Sequence, residues 1–186
     1  MAITITRKVS VSGGTVLRAA NNLGDVASAA TSRTNLGLGT GDSPQFTALK
    51  GTTTNDNAAT GYIGEYVSST VASGSAITLT NATAANVTSL SLTAGDWDVS
   101  GVITFNGAVT GSYSTAGIST TSATHQAYPN SVDSPYLPTA AANASTVVPA
   151  IRISVASTTT VYLVALEAFS AGTAKAYGFI SARRVR

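Results

Sequence analysis

From Trp97 onward the sequence alternates with period two: Trp97, Val99, Gly101, Ile103 and Phe105 fall on one side, Asp98, Ser100, Val102, Thr104 and Asn106 on the other. A helix would smear that pattern around its circumference, whereas a strand sorts it onto two faces, so the stretch predicts a half-buried β-strand. Similar segments surround it. Residues 62–71 read as extended, with an irregular start at Gly61 and Gly64, and 76–80 and 86–92 alternate more briefly. Residues 111–122 predict a weaker strand, while 147–156, 160–169 and 174–186 predict strong ones. Turn formers separate them, at Thr93–Asp96, at Asn106-Gly107 and at Ser157–Thr159. Residues 160–169 are apolar on both faces, with Tyr162, Val164 and Leu166 against Val161, Leu163 and Ala165, which predicts a strand buried in the middle of a sheet. In the closing strand Tyr177 and Phe179 share one face and Ile180 takes the other. About eight strands with no helix among them predict an all-β fold, an antiparallel β-sandwich of the jelly-roll kind over residues 61–186. The stretch 123–146, with Pro129, Pro135 and Pro138, predicts a loop, and a loop that long in a compact domain is functional or interfacial.

Charged residues make up only 10% of the chain, where an ordinary soluble domain has about a quarter. Low-charge strand edges invite pairing with other chains, which favours a closed oligomer. The formal charge of +2 is too small to argue for nucleic acid, and no basic stripe with interleaved aromatics is present. Arg183, Arg184 and Arg186 crowd the C-terminus; they predict either a solvated strand end or pairing with carboxylates of a neighbouring subunit. With no cysteine there is no disulfide, zinc thiolate or thiol nucleophile. The first residues lack the apolar core of a secretory signal, and no apolar run reaches membrane-spanning length. The expectation is a chain made and assembled in a cytosol, with no membrane insertion. Acceptor patterns for glycosylation at Asn81, Asn86 and Asn143 are then chance matches.

Little in the sequence points to catalysis. Asp96 and Asp98 flank Trp97 and are expected to face away from the core as solvated turn residues, and no further ligand stands near them. His125 is the single histidine, and no spacing suggests a Ser/His/Asp arrangement. The expectation is a non-enzyme with no metal and no cofactor. Tyr113, Tyr128 and Tyr136, with His125 and Asn130, form the candidate host-surface contact, suited to a glycan or a protein. The same tyrosines would equally fill gaps between subunits.

The N-terminal third has a different character. Ile3, Ile5, Val9 and Val11 alternate with Thr4, Thr6 and Lys8, and Ser12-Gly13-Gly14 ends the run. Residues 1–20 thus predict an anchoring strand that adds to a partner's sheet, or else a strand of the chain's own domain. Residues 21–60 read as a helical adaptor and linker. A helix is expected over 22–35, capped by Asn22, with Asp25 near its start, Arg33 in its last turn and Gly37 as its stop. Ala20, Leu23, Ala27, Ala30 and Thr34 follow heptad spacing, a seam of small residues that suits a trimer or a helix lying on another protein. Beyond it, Gly37, Gly39 and Gly41 alternate with Leu38 and Thr40. Leu36 and Leu38 sit in a segment too short to bury them, and identical copies are the simplest partner surface. Asp42-Ser43-Pro44 reads as a turn, and 47–60 as a linker.

Residues 29–46 (AATSRTNLGLGTGDSPQF) resemble the adaptor "A-R-T-N-L-G-L-G-T-G-D-S-P-x-F" of bacteriophage tail-fibre and head-fibre proteins. The resemblance covers roughly a tenth of the chain. It implies a virion structural protein, typically a homotrimer. Residues 89–105 are similar to the "L-x-x-G-x-W/Y-x-V" strand start of trimeric domains of the C1q and tumour-necrosis-factor type and of phage fibre heads. Together these imply a homotrimeric short fibre or spike on the exterior of the particle. Ile3, Ile5, Val9 and Val11 would anchor it to other virion proteins of the capsid, tail or portal region. Leu23, Ala27, Ala30, Leu36 and Leu38 would form the trimer adaptor, and the sandwich would meet a host-surface glycan or protein. A capsid decoration or cement protein is the alternative, and a monomeric carbohydrate-binding module a further one.

Overall fold

The computed structural model describes residues 28–48, 50–51, 53–126, 131–134 and 143–186. Ile3, Ile5, Val9, Val11, Leu23, Ala27, Tyr128 and Tyr136 lie outside the described residues. The chain divides into two units, Met1–Thr54 and Asn55–Arg186.

In the first unit, helix α1 spans Ala29–Asn35. Ser28, extended at φ −145°, is its N-cap, and the Ser28 hydroxyl accepts from the Thr31 N–H at 3.2 Å. Of the expected helix over 22–35, the described part begins at Ala29, because an extended Ser28 cannot continue a helix and its hydroxyl satisfies a first-turn amide; Asn22 and Asp25 lie outside the described residues. The expected stop holds. Gly37 is left-handed at φ +69°, its N–H donates to Thr34 O, and Leu38 N–H donates to Arg33 O at 2.9 Å. Those two bonds, to the carbonyls of Thr34 and Arg33, form a Schellman motif.

The second unit contains nine strands among the described residues: β1 (Tyr66–Val71), β2 (Ile77–Thr78), β3 (Ala85–Leu92), β4 (Gly95–Asn106), β5 (Val109–Ser119), β6 (Ser131–Ser134), β7 (Asn143–Val155), β8 (Thr159–Gly172) and β9 (Lys175–Arg184). One sheet runs β1-β9-β4-β7, with β2 also on β9, and the other runs β3-β8-β5-β6. All pairs are antiparallel, and β1/β9, β3/β8, β4/β7 and β5/β6 match the chain's two halves in reverse order. The topology is thus one long hairpin rolled up, which lays β9 against β4 and β8 against β5. That is the jelly roll expected from the alternation.

The strands form because the alternating residues find a common interior. Trp97, Val99, Ile103 and Phe105 from β4 meet Leu163 and Val161 from β8, Ile180 from β9 and Leu92 from β3, all fully buried. Each such side chain contributes about 1.5–3 kcal/mol of hydrophobic stabilisation. Gly101 sits in the same inward row because space demands it: a Cβ there would stand 2.7 Å from Leu163 Cδ1 of the opposite sheet. Strand β8 lies between β3 and β5, as its two apolar faces predicted. Strand β5 runs over Val109–Ser119 rather than 111–122 and lies between β8 and β6. Its small residues have low strand propensity, and pairing with β8 overrides that. The expected loop 123–146 is interrupted by β6, and β7 starts at Asn143 because Ala144 and Thr146 turn inward while Ser145 bonds Thr104 at 2.8 Å on the outside.

Candidate functional site

Among the described residues of the adaptor, the large apolar side chains are uncovered. Leu36 is 71% exposed and Leu38 45%, and Phe46 and Ala30 are also exposed. Among the described residues, local hydrogen bonds fix this segment. The Asp42 carboxylate accepts from Gly39 N–H while Asp42 N–H donates to Gly39 O, a reciprocal turn that folds the chain back beside α1. A Cβ at Gly39 would stand 2.8 Å from that carboxylate and 3.0 Å from Thr34 Oγ1. Of the three alternating glycines, Gly37 is needed for its backbone angle and Gly39 for close approach, while a Cβ at Gly41 would meet open space. The outcome is a short rigid hook presenting two leucines to solvent.

On the sandwich, the outer face of the first sheet is ordered in cross-strand rows. Tyr66, Arg183, Asp98 and Arg152 are register partners in one, and Ser68, Ser181 and Ser100 in the next. The third is apolar: Thr70, Phe179, Val102 and Val147. Tyr177, Thr104 and Ser145 follow, and then Lys175, Asn106 and Asn143. Charge is confined to the ends of this face, and Val147 in the apolar row is 62% exposed. The outer face of the second sheet differs. Thr115, Ser119 and Val164 point away from the core yet are buried. The 120–126 turn is bonded to this sheet: Asn86 Nδ2 donates to Ser122 Oγ, Ala123 N–H to Asn86 Oδ1, and Gln126 Nε2 to Ser119 Oγ.

Of the candidate host-contact residues, Tyr113 is exposed near the start of β5, and His125 is half-buried in the turn that follows the end of β5. Six residues of strand separate Tyr113 from Ser119 beside that turn, roughly 20 Å at the usual rise. These two residues therefore stand at opposite ends of the strand.

Asp98 is exposed as expected, but Asp96 is not a solvated turn residue. Asp96 is only 4% exposed and is gripped by Arg152 at 2.9 Å and Arg186 at 2.8 Å. Hydrogen bonds from Ser154 and then Arg152 hold its carboxyl below the usual range. Arg184, one of the three C-terminal arginines, is buried: its Nε donates to Glu65 at 2.9 Å, Nη1 to Ala94 O at 2.7 Å and Nη2 to Thr93 Oγ1, and the guanidinium lies 4.3 Å from the Trp97 ring centroid. Burial pushes the Glu65 carboxyl up, but the Gly61 N–H and Arg184 hydrogen bonds outweigh it, and its pKa lies below the ordinary value. Arg184 and Arg186 thus pair with carboxylates of their own chain. Sequence reasoning missed this clasp, although the inward row Ala176, Ile180, Ala182 of β9 continues to Arg184, an arginine on an apolar side. Glu167 is a third buried carboxyl, 1% exposed, inward-facing on β8 opposite Ser114, and burial raises its pKa. Among the described residues no group of three or more His, Asp and Glu side chains is placed to share a metal ion.

No family model and no curated protein matches the chain. Among solved structures, the chain is similar to one in the structure of infectious bursal disease virus, Gx strain, at 17% identity and a TM-score of 0.39. The match covers 64% of this chain and 30% of that one, so this chain spans less than a third of that chain's length.

Proposed function

We propose that this chain is a bacteriophage virion structural protein, a homotrimeric short fibre or spike without enzymatic activity. Its N-terminal segment fixes it to other virion proteins, and its jelly roll projects from the particle to meet the host surface. The observation that carries this reading is the adaptor. The residues that resemble the phage-fibre segment form a hook whose Leu36, Leu38 and Phe46 have no cover within the described residues. Apolar groups held in fixed positions at the surface call for a partner, and a second and third copy of the same hook supply a symmetric one. The titratable side chains that are buried and paired join strand ends across the fold, which supports a structural role.

A second reading, a decoration or cement protein of the capsid, is favoured by the apolar row through Val147, Val102 and Phe179, which suits a sandwich lying flat against a neighbouring protein. Antibody labelling of purified particles separates the two. A few trimers at the tail support the fibre, hundreds over the shell support the decoration protein, and no label on any particle overturns both.

A further inference from the structure

The start of the sandwich unit and the end of β9 enclose a cleft of about 460 Å³, lined by Asn55, Asp56, Asn57, Gly64, Tyr66 and Arg183. That volume lies in the range of small-molecule sites. We propose that this cleft binds an uncharged saccharide. The inference deepens the host-contact part of the proposed function, naming a ligand class and a place for it, and it does not depend on the oligomeric state.

The walls are built before any ligand arrives. Asn57 lies along the free edge of β1, where its Nδ2 donates to Tyr66 O at 2.6 Å and its Oδ1 accepts from Tyr66 N–H at 2.9 Å. One side-chain amide thereby replaces a missing strand and pins the 55–58 segment beside the sheet. On the other side, Gly64 N–H donates to Arg184 O at 3.0 Å and Arg184 N–H to Glu65 O at 2.9 Å, with the buried Glu65–Arg184 pair behind them. A cleft fixed at both sides loses little entropy on binding.

The lining offers what a pyranose needs. Tyr66 is 38% exposed and stands opposite Arg183 in the register of β1 and β9, so an aromatic face and a guanidinium share one surface. Arg184 and Arg186 are committed to Glu65 and Asp96, whereas Arg183 is exposed and in no ion pair among the described residues. A planar guanidinium donates in parallel to two neighbouring sugar oxygens. Asn55 adds an amide group for the remaining hydroxyls, and the tyrosine ring takes the apolar C–H face. Charge selects the class. Asp56 lines the cleft and Asp98 is the register partner of Arg183 on β4, while Arg152 on the far side of Asp98 is paired with Asp96, so carboxylates oppose the one guanidinium at the cleft and an anionic sugar is disfavoured.

The test is a titration of the full chain with neutral oligosaccharides of glucose, galactose and mannose, and with oligomannuronate as the anionic comparison, followed by NMR. At least one neutral oligosaccharide is expected to shift the Tyr66 ring and Arg183 guanidinium signals. Tyr66→Ser and Arg183→Gln are each expected to weaken it about tenfold, the usual loss for one hydrogen bond to a charged group or one stacking face. Unchanged melting of both variants shows that the loss is local. Should either variant fold poorly, the wild-type signals decide: shifts at Tyr66 and Arg183 support the cleft, and shifts only elsewhere overturn it. Binding of oligomannuronate alone, or of nothing at millimolar sugar, also overturns it. A particle-borne trimer that binds no sugar would discard the cleft and leave the virion reading standing; sugar binding by a chain absent from particles would do the reverse.

Discussion

The adaptor and the sandwich use the same apolar residue types to opposite ends. In the sandwich Leu90, Leu92 and Leu163 are buried among strands brought together from distant parts of the sequence. In the adaptor Leu36 and Leu38 stand in solvent, and the segment's shape comes from bonds between residues at most five apart, from Ser28 to Thr31, Thr34 to Gly37, Arg33 to Leu38 and Gly39 to Asp42. One region builds its core from its own strands. The other, among its described residues, has a defined shape and an exposed apolar surface.

If the sandwich is self-sufficient, damage to its own clasp should be severe. Arg184→Ala leaves the Glu65 carboxylate buried without its cation, which costs about 3–5 kcal/mol and lowers Tm on the order of 10 °C in a calorimetric scan. The carboxyls of Glu65 and Asp96 are held below their ordinary values, so their stabilisation is present at neutral pH and lost as pH falls below the usual carboxylate range.

Glu167 works with the opposite sign. Its raised pKa means that the folded state holds a proton the unfolded chain has released, so stability falls as pH rises from the ordinary carboxylate value through the raised one. Glu167→Gln should therefore raise Tm at pH 8 by about 2–4 °C, roughly 1 kcal/mol for a chain this size, with the gain shrinking toward pH 4. A gain equal at both pH values would show that the carboxyl is not the cause. A smaller effect is expected from Gly37→Ala, which puts a Cβ on a left-handed residue at a cost of about 1–2 kcal/mol confined to the helix stop. NMR should show the Leu38-to-Arg33 bond lost while the melting of the sandwich stays unchanged.

The contrast also marks what was legible in the sequence. Period-two alternation from Trp97 to Asn106 and the two-faced apolar run of β8 depend on a short window, and both emerged as read, with Trp97 buried and its Nε1 donating to Thr93 O at 2.9 Å. Gly37 as a helix stop is equally local. The Glu65–Arg184 pair is not, because its members are separated by most of the sandwich in sequence and only the rolled hairpin brings them together. Strand β5 was undervalued because Gly111, Ser114, Ala116 and Gly117 carry little strand preference of their own; their place beside β8 is set by the whole topology. The cleft at Tyr66 and Arg183 arises the same way, from cross-strand register between the two ends of the sandwich unit.

The most direct test of the central claim, that the uncovered leucines of the adaptor hold copies of the chain together, is the solution mass of the full chain. It is measured by light scattering after size exclusion, beside the Leu36→Ser/Leu38→Ser double variant. The account predicts three times the 18.6 kDa chain mass for the wild type and a shift toward the single-chain mass for the variant. A wild type that stays at 18.6 kDa, or a variant that keeps the wild-type mass, would contradict it.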